Sequence, residues 1–262
     1  MTPPLKRILH AASASDEDQV PLTYAATLAR AAGAELISVH AAGSGGEGAT
    51  ILDANQCLAA VGLSGGLSHQ RRVHTCCDDP IDTLLDAARD LEPDLIVMGT
   101  HTPGALSRFV FDSHAEAVAA NAPVPTLVVP LEGVSEASDA VFRLRSVVVP
   151  AADPRAALVA IDALAWLARA TGTTEGQLFC VGVGTTPSSE LRAPAGWAKT
   201  TLEDTGSVVD AIARMSEGTD LIVMATAGRD SLFDTLFGTK TERLLHRAPC
   251  PMLTLPKPKK SG

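Results

Sequence analysis

Aromatic residues are nearly missing from this chain: two Trp, one Tyr and six Phe in 262 residues. Its cores must therefore be packed from Ala, Val and Leu. An excess of positive charge is missing too. The formal net charge is −9, which leaves no basic stripe to neutralise phosphates and argues against nucleic acid as a partner. No apolar run reaches membrane-spanning length, and the opening Met1-Thr-Pro-Pro-Leu-Lys-Arg has no apolar stretch of the signal-peptide kind. The expectation is a cytoplasmic protein with no membrane partner. The five cysteines, at 57, 76, 77, 180 and 250, include no C-x-x-C pair. They read as reduced thiols, mostly buried in strands, rather than as a disulfide framework or zinc site. Vicinal Cys76-Cys77 reads as two strand residues facing opposite ways. The seven histidines sit at no metal-ligand spacing, and neither a P-loop nor a nucleophile elbow occurs. No catalytic residue and no metal site are expected.

What the chain does contain is a repeat. Asp94 to Pro130 lies over Asp220 to Pro256 without a gap, at an offset of 126 residues. Asp-Leu-Ile-Val-Met, Leu106/Leu232, Phe111/Phe237, Glu116/Glu242 and Ala-Pro-x-Pro coincide in the two copies. A period this long is a small domain rather than a solenoid unit. Each copy opens on an apolar run suited to a strand buried on both faces, passes through a small-residue loop, and enters a helix. In the later copy that entry, Thr239-x-x-Glu242, has the form of a capping box. Strand, glycine loop and helix N-terminus together make a phosphate-binding arrangement.

The remaining chain alternates in the same way. Lys6 to Ala12 reads as a strand, Ser13 to Asp18 as a polar turn able to cap a helix, and Val20 to Ala32 as that helix, stopped by Gly33. Strand Glu35 to His40, helix Thr50 to Val61, strand Arg71 to Cys77 and a helix from Asp79-Pro80 to about Asp90 follow. Leu131 to Ala140 reads as a linker. The second half gives strand Ser146 to Ala151, helix Arg155 to Thr171, strands Leu178 to Val183 and Trp197 to Leu202, and helix Gly206 to Glu217. Its 184–196 segment is too short and Pro-rich for the helix found in the first half. Two lookalike motifs read as loops: Gly43 to Gly48 (G-x-G-x-x-G) starts too far past its strand for a dinucleotide turn, and Ser64 to Ser68 (SGGLS) follows a helix. The fold class is α/β. Two tandem five-stranded parallel-sheet domains, doubly wound and Rossmann-like, are expected over 1–131 and 142–262, with a 132–141 linker. Their apolar last strands are expected to pair edge to edge within the chain.

These residues resemble the universal stress protein family, over nearly the whole chain twice. The resemblance rests on Asp-Leu-Ile-Val-Met, the loop, Gly-Thr and a helix ending before Pro and an apolar strand. It implies sheets that dimerise through the last strand, so a homodimer is one implied partner state. In some members it implies ATP binding through G-x2-G-x9-G-S/T and an Asp ending the first strand. Carried onto the N-terminal copy, the pattern breaks. Gly99 and Ser113 are kept, but Thr102 and Asp112 replace glycines and Ser13 replaces the Asp. A carboxylate at 112 would repel a phosphate by on the order of several kcal/mol at 4 Å, while Asp and Ser there suit helix capping without a ligand. The C-terminal copy keeps Gly228, Gly238 and Thr239, with Arg229 and Lys240 as added cations. It departs at Ala225, which follows Met224, and at Ala152, beside Asp153. The strand ends at Ala151 and Val181 would bracket adenine.

The reading is a stress-response protein, not an enzyme, with one regulatory ATP or AMP site confined to the C-terminal domain. The alternative is a nucleotide-free interaction scaffold of the same fold, with no cofactor. A third is a dinucleotide- or ATP-pyrophosphatase-like enzyme, resting on the two lookalike loops.

Overall fold

Both copies of Asp-Leu-Ile-Val-Met begin a strand in which no side chain faces water, and the aspartate before each strand is bound to another strand's start. In the computed structural model, which describes residues 4–42, 49–75, 79–100, 111–131, 141–225 and 243–256, the chain divides into Met1–Phe142 and Arg143–Gly262. For residues 75 and 111–114 the description stops at the backbone.

In the first unit, strands β1 (Arg7–Ala11), β2 (Glu35–Ala42), β3 (His69–Thr75), β4 (Leu95–Thr100) and β5 (Thr126–Pro130) stand in the order β3-β2-β1-β4-β5. Every pairing is parallel. Helices α1 (Gln19–Ala32), α2 (Ala54–Ala60), α3 (Pro80–Leu91) and α4 (Phe111–Asn121) make the crossovers. The second unit has β6 (Ser146–Pro150), α5 (Pro154–Thr171), β7 (Gly176–Val183), β8 (Trp197–Asp204), α6 (Val208–Met215), β9 (Leu221–Ala225) and β10 (Met252–Leu255). Its order is β8-β7-β6-β9-β10, again parallel throughout. Residues 243–245 are helical. Each sheet thus reverses its winding beside its first strand, and the chain ends there diverge into a crevice.

The repeated aspartate fixes this order. Asp94 Oδ2 accepts the backbone N–H groups of Lys6 (2.7 Å) and Arg7 (2.9 Å). Asp220 Oδ2 accepts those of Arg145 and Ser146, both at 2.8 Å, and the Ser146 hydroxyl at 3.1 Å. One carboxylate in each unit so holds the start of the first strand beside the start of the fourth. Behind it, Leu95, Ile96 and Val97, and likewise Leu221, Ile222 and Val223, are wholly buried.

Helix limits follow local chemistry. Asp79 and Asp153 each accept N–H groups of the following turn, with Pro at the first helical position. α1 and α5 stop on Gly33 (φ 65°) and Gly172 (φ 70°), the left-handed geometry glycine adopts without strain.

Several expectations need correction. α2 begins at Ala54 rather than Thr50, because Asp53 accepts from Asn55 and Gln56 N–H and claims the N-cap. β3 begins at His69, which pairs in register with Leu36. The 13–18 segment does not cap α1. It forms a 3-10 turn over Asp16–Asp18, and the Asp18 side chain makes no cap hydrogen bond. Of the described cysteines, all free and buried, only Cys180 is on a strand; Cys57 lies in α2 and Cys250 in the turn before β10. Burial raises all three thiols, Cys250 to about 11, which removes them from thiolate chemistry. Cys76-Cys77, the GSGGEG loop and the basic tail lie outside the described residues. SGGLS is a turn clamped by Asn55, whose side chain pairs with both backbone groups of Leu67, and by Arg30 on the Ser64 carbonyl.

Replacing Asp94 or Asp220 by Ala removes charge-assisted hydrogen bonds from two N–H groups, one exposed and one partly buried. Each change should cost about 2 kcal/mol in denaturant unfolding, with Asn, which keeps an acceptor oxygen, recovering part of it. Losses under about 0.5 kcal/mol would contradict the role assigned to this carboxylate.

Candidate functional site

The crevice of the first unit holds a half-open cavity of about 170 Å³. Its floor is the carboxyl ends of β1, β2 and β4, at Ala11, Val39 and Met98. Ile81 and Leu84 of α3 and Val118 of α4 form apolar walls, and Ser13, Glu17, Asp18 and His40 supply the polar lining. His40 donates its Nδ1–H to the Ala12 carbonyl (2.8 Å), which makes Nε2 an acceptor.

Beneath the cavity runs a buried polar chain that sequence reasoning missed. The Ala54 N–H donates to His69 Nδ1 (3.2 Å), so the His69 proton sits on Nε2, facing Ser38 Oγ at 2.8 Å. The Ser38 hydroxyl then donates to His10 Nδ1 (3.1 Å), and His10 Nε2–H faces Asp18 Oδ1 at 3.5 Å. Asp18 Oδ1 also accepts the Ser13 N–H at 3.1 Å. His10 and Ser38 are wholly buried and Asp18 is 2% exposed. Burial alone would raise the Asp18 carboxyl, but the facing His10 and the hydrogen bonds from Ser13 outweigh it and hold it below the ordinary carboxylate range. The signal available in the sequence was a polar residue inside each of two apolar strands. Only the register, which sets His10 beside Ser38, turns it into a cluster.

Of the N-terminal residues singled out from sequence, Ser13 and Gly99 both line the cavity. Gly99 has strand backbone, and a Cβ there would come within 3.0 Å of Leu131 and 3.3 Å of Pro21, so close packing already asks for glycine. Thr102 lies outside the described residues, while Asp112 and Ser113 fall in the first turn of α4.

In the second unit the Ala151 N–H donates to the Val181 carbonyl at 2.7 Å, the counterpart of Ala12 N–H on Val39. Both residues are buried. Met224 and Ala225 end β9, also buried and with ordinary strand backbone, so the Gly99/Ala225 exchange carries no conformational strain. Ala152 is exposed, and Asp153 Oδ1 is spent on the α5 cap, accepting from Arg155 (2.8 Å) and Ala156 (3.3 Å). Gly228, Arg229, Gly238, Thr239 and Lys240 lie outside the described residues. The polar chain has no counterpart here. Val149 and Cys180 pair where His10 and Ser38 pair in the first unit, and α5 starts too soon after β6 for an equivalent of Asp18.

The profile of the Universal stress protein family matches residues 4–130 and 189–256. The chain belongs to the universal stress protein family. The unmatched stretch holds β6, α5 and β7, which nonetheless repeat the path of β1, α1 and β2. A universal stress protein from Archaeoglobus fulgidus DSM 4304 superposes with a TM-score of 0.62 at 15% identity, over 96% of this chain and 98% of its own. A protein of unknown function from Pseudomonas aeruginosa PAO1 does so at 0.60 and 13%, over 97% and 93%. At such identities the likeness is one of fold. Comparison with the curated proteins gives no match. Among the described residues no group of side chains is placed to hold a metal ion, and no helix is long and apolar enough to cross a membrane.

Burial lowers His69 from an ordinary 6.5 to about 4; Asp53 opposes this, while His10 and Arg71 add to it. Between those values the unfolded chain binds a proton that the folded one refuses, so stability should rise with pH across that window. For one proton the slope is at most about 1.4 kcal/mol per pH unit, and less for a half-buried ring. His69→Gln should flatten unfolding free energy against pH between 6.5 and 4. An unchanged slope would remove His69 from the account.

Proposed function

We propose that this protein is a non-catalytic, nucleotide-responsive stress protein of the cytoplasm whose single adenine-nucleotide site belongs to the C-terminal unit. The observation that carries this reading is the contrast between the two crevices. Asp18 lines the first, where its fixed negative charge in a partly dry site opposes a polyphosphate. The corresponding strand ends of the second are apolar, with Val149, Cys180, Ala151 and Val181 all at or below 1% exposure. An adenine ring suits that surface. Phosphates would meet Gly228, Gly238 and Thr239 at the helix entrance, with Arg229 and Lys240 as counter-charges. Asp153, committed to its cap, is left out of the contact set. Bound nucleotide would bias association or partner choice by binding one conformation better than another.

One observation favours the rival scaffold reading: Ala152 stands in the place of the first-strand Asp, and its neighbouring carboxylate serves the helix.

Calorimetric titration of the full chain with ATP and with AMP decides between them. The expected result is one site per chain, weakened at least tenfold by Gly238→Asp, which copies the Asp112 of the other half. Equal affinity in wild type and variant would refute the location, and no binding of either nucleotide would leave the scaffold.

A further inference from the structure

We propose that the cavity of the N-terminal unit is a second small-molecule site, and that it takes a compact apolar ligand bearing a cationic or N–H donor head: an amine or amidine built on about one aromatic ring. Size comes first. The cavity measures about 170 Å³, and a space of roughly 150 Å³ with apolar walls holds a benzene ring. Ala11, Val39, Ile81, Leu84, Met98 and Val118 supply those walls.

The head group follows from Asp18. Its Oδ1 is engaged by the Ser13 N–H and faces His10, but its Oδ2 is buried with no hydrogen-bond partner among the described residues. A carboxylate oxygen left without a donor inside a protein is an unfavourable state that a bound N–H or ammonium group relieves. His40, an acceptor at Nε2, shares the lining, so the site's polar character favours donors.

Charge also sets the exclusion. With the Asp18 carboxylate in the lining, an anion of the same size is repelled. Asp18 is moreover held in place before any ligand arrives. The Ser13 N–H donates to its Oδ1, and His10, itself held by the Ala54–His69–Ser38 chain, packs against it at 3.5 Å, so little ordering is lost on binding. None of this machinery exists at the matching positions of the second unit, where Val149 and Cys180 stand. The site proposed here is therefore independent of the nucleotide site proposed above.

The probes are benzylamine, benzyl alcohol and benzoate, which carry one ring and three different heads, titrated into the full chain and followed by calorimetry and ligand-observed NMR. Saturable binding of benzylamine is expected, with benzyl alcohol at least tenfold weaker and benzoate silent. Asp18→Asn should weaken benzylamine at least tenfold. Because that change touches a buried pair, Leu84→Trp, which fills the cavity and leaves the Asp18 cluster alone, should abolish binding with circular dichroism unchanged. ATP titration should be the same in wild type and Leu84→Trp. Equal binding of amine and benzoate, full binding by Leu84→Trp, or no binding of benzylamine to wild type would each overturn the proposal, and none of these bears on the nucleotide site.

Discussion

The architecture of each unit depends on one carboxylate. A parallel sheet gives adjacent strands no hairpin to fix their order or register, so something else must bring the start of the first strand to the start of the fourth. Asp94 and Asp220 do this by accepting two successive backbone N–H groups on a strand far away in sequence. The wholly buried Leu-Ile-Val that follows then has one way to pack, because a shift of one residue would exchange its two faces. With those strands side by side and their connections running to opposite faces, the crevice at their carboxyl ends follows from the geometry. The aspartate retained at the head of both copies serves the frame from which the crevice follows.

Within that common frame the copies diverged through the length of one connection. Seven residues, 12–18, separate β1 from α1, room for the 3-10 turn that brings Asp18 back over His10. In the second unit only 151–153 separate β6 from α5, and the aspartate there is consumed by the helix N-terminus. The longer turn makes possible a buried polar chain from α2 to the cavity, and the shorter one leaves an apolar floor. A change of connection length thus altered the charge of the crevice while the strands beneath kept their order and pairing.

Much of the frame was legible in the sequence, for physical reasons. The ungapped repeat announced two units, glycines 33 and 172 marked helix ends that require left-handed backbone, and Asp79-Pro80 marked the start of α3. The absence of a helix in 184–196 followed from its prolines and length. What stayed hidden was what depends on register or on competition for a group. Thr50 to Asp53 carried helical periodicity, yet the Asp53 side chain set the boundary. Asp18 stood where a cap would serve, but pairing with His10 claimed its carboxylate. Of the residues singled out from sequence, Ser13 and Gly99 both line the cavity, and the Ala151 N–H donates to the Val181 carbonyl. His10, Ser38 and His69 were passed over, because histidines far apart in sequence give no spacing signal until three strands align them.

The central proposal is that the copies present different chemistry at equivalent crevices, so that a polyphosphate would be received by the later one alone. Backbone amide NMR of the deuterated chain titrated with ATP tests this most directly, since each crevice reports through its own residues. The account predicts shifts at Ala151, Val181, Ala225 and the glycines 228 and 238, with Ser13, His40 and Gly99 unmoved. Shifts centred on Ser13 and Gly99, with Ala151 and Gly238 silent, would contradict it.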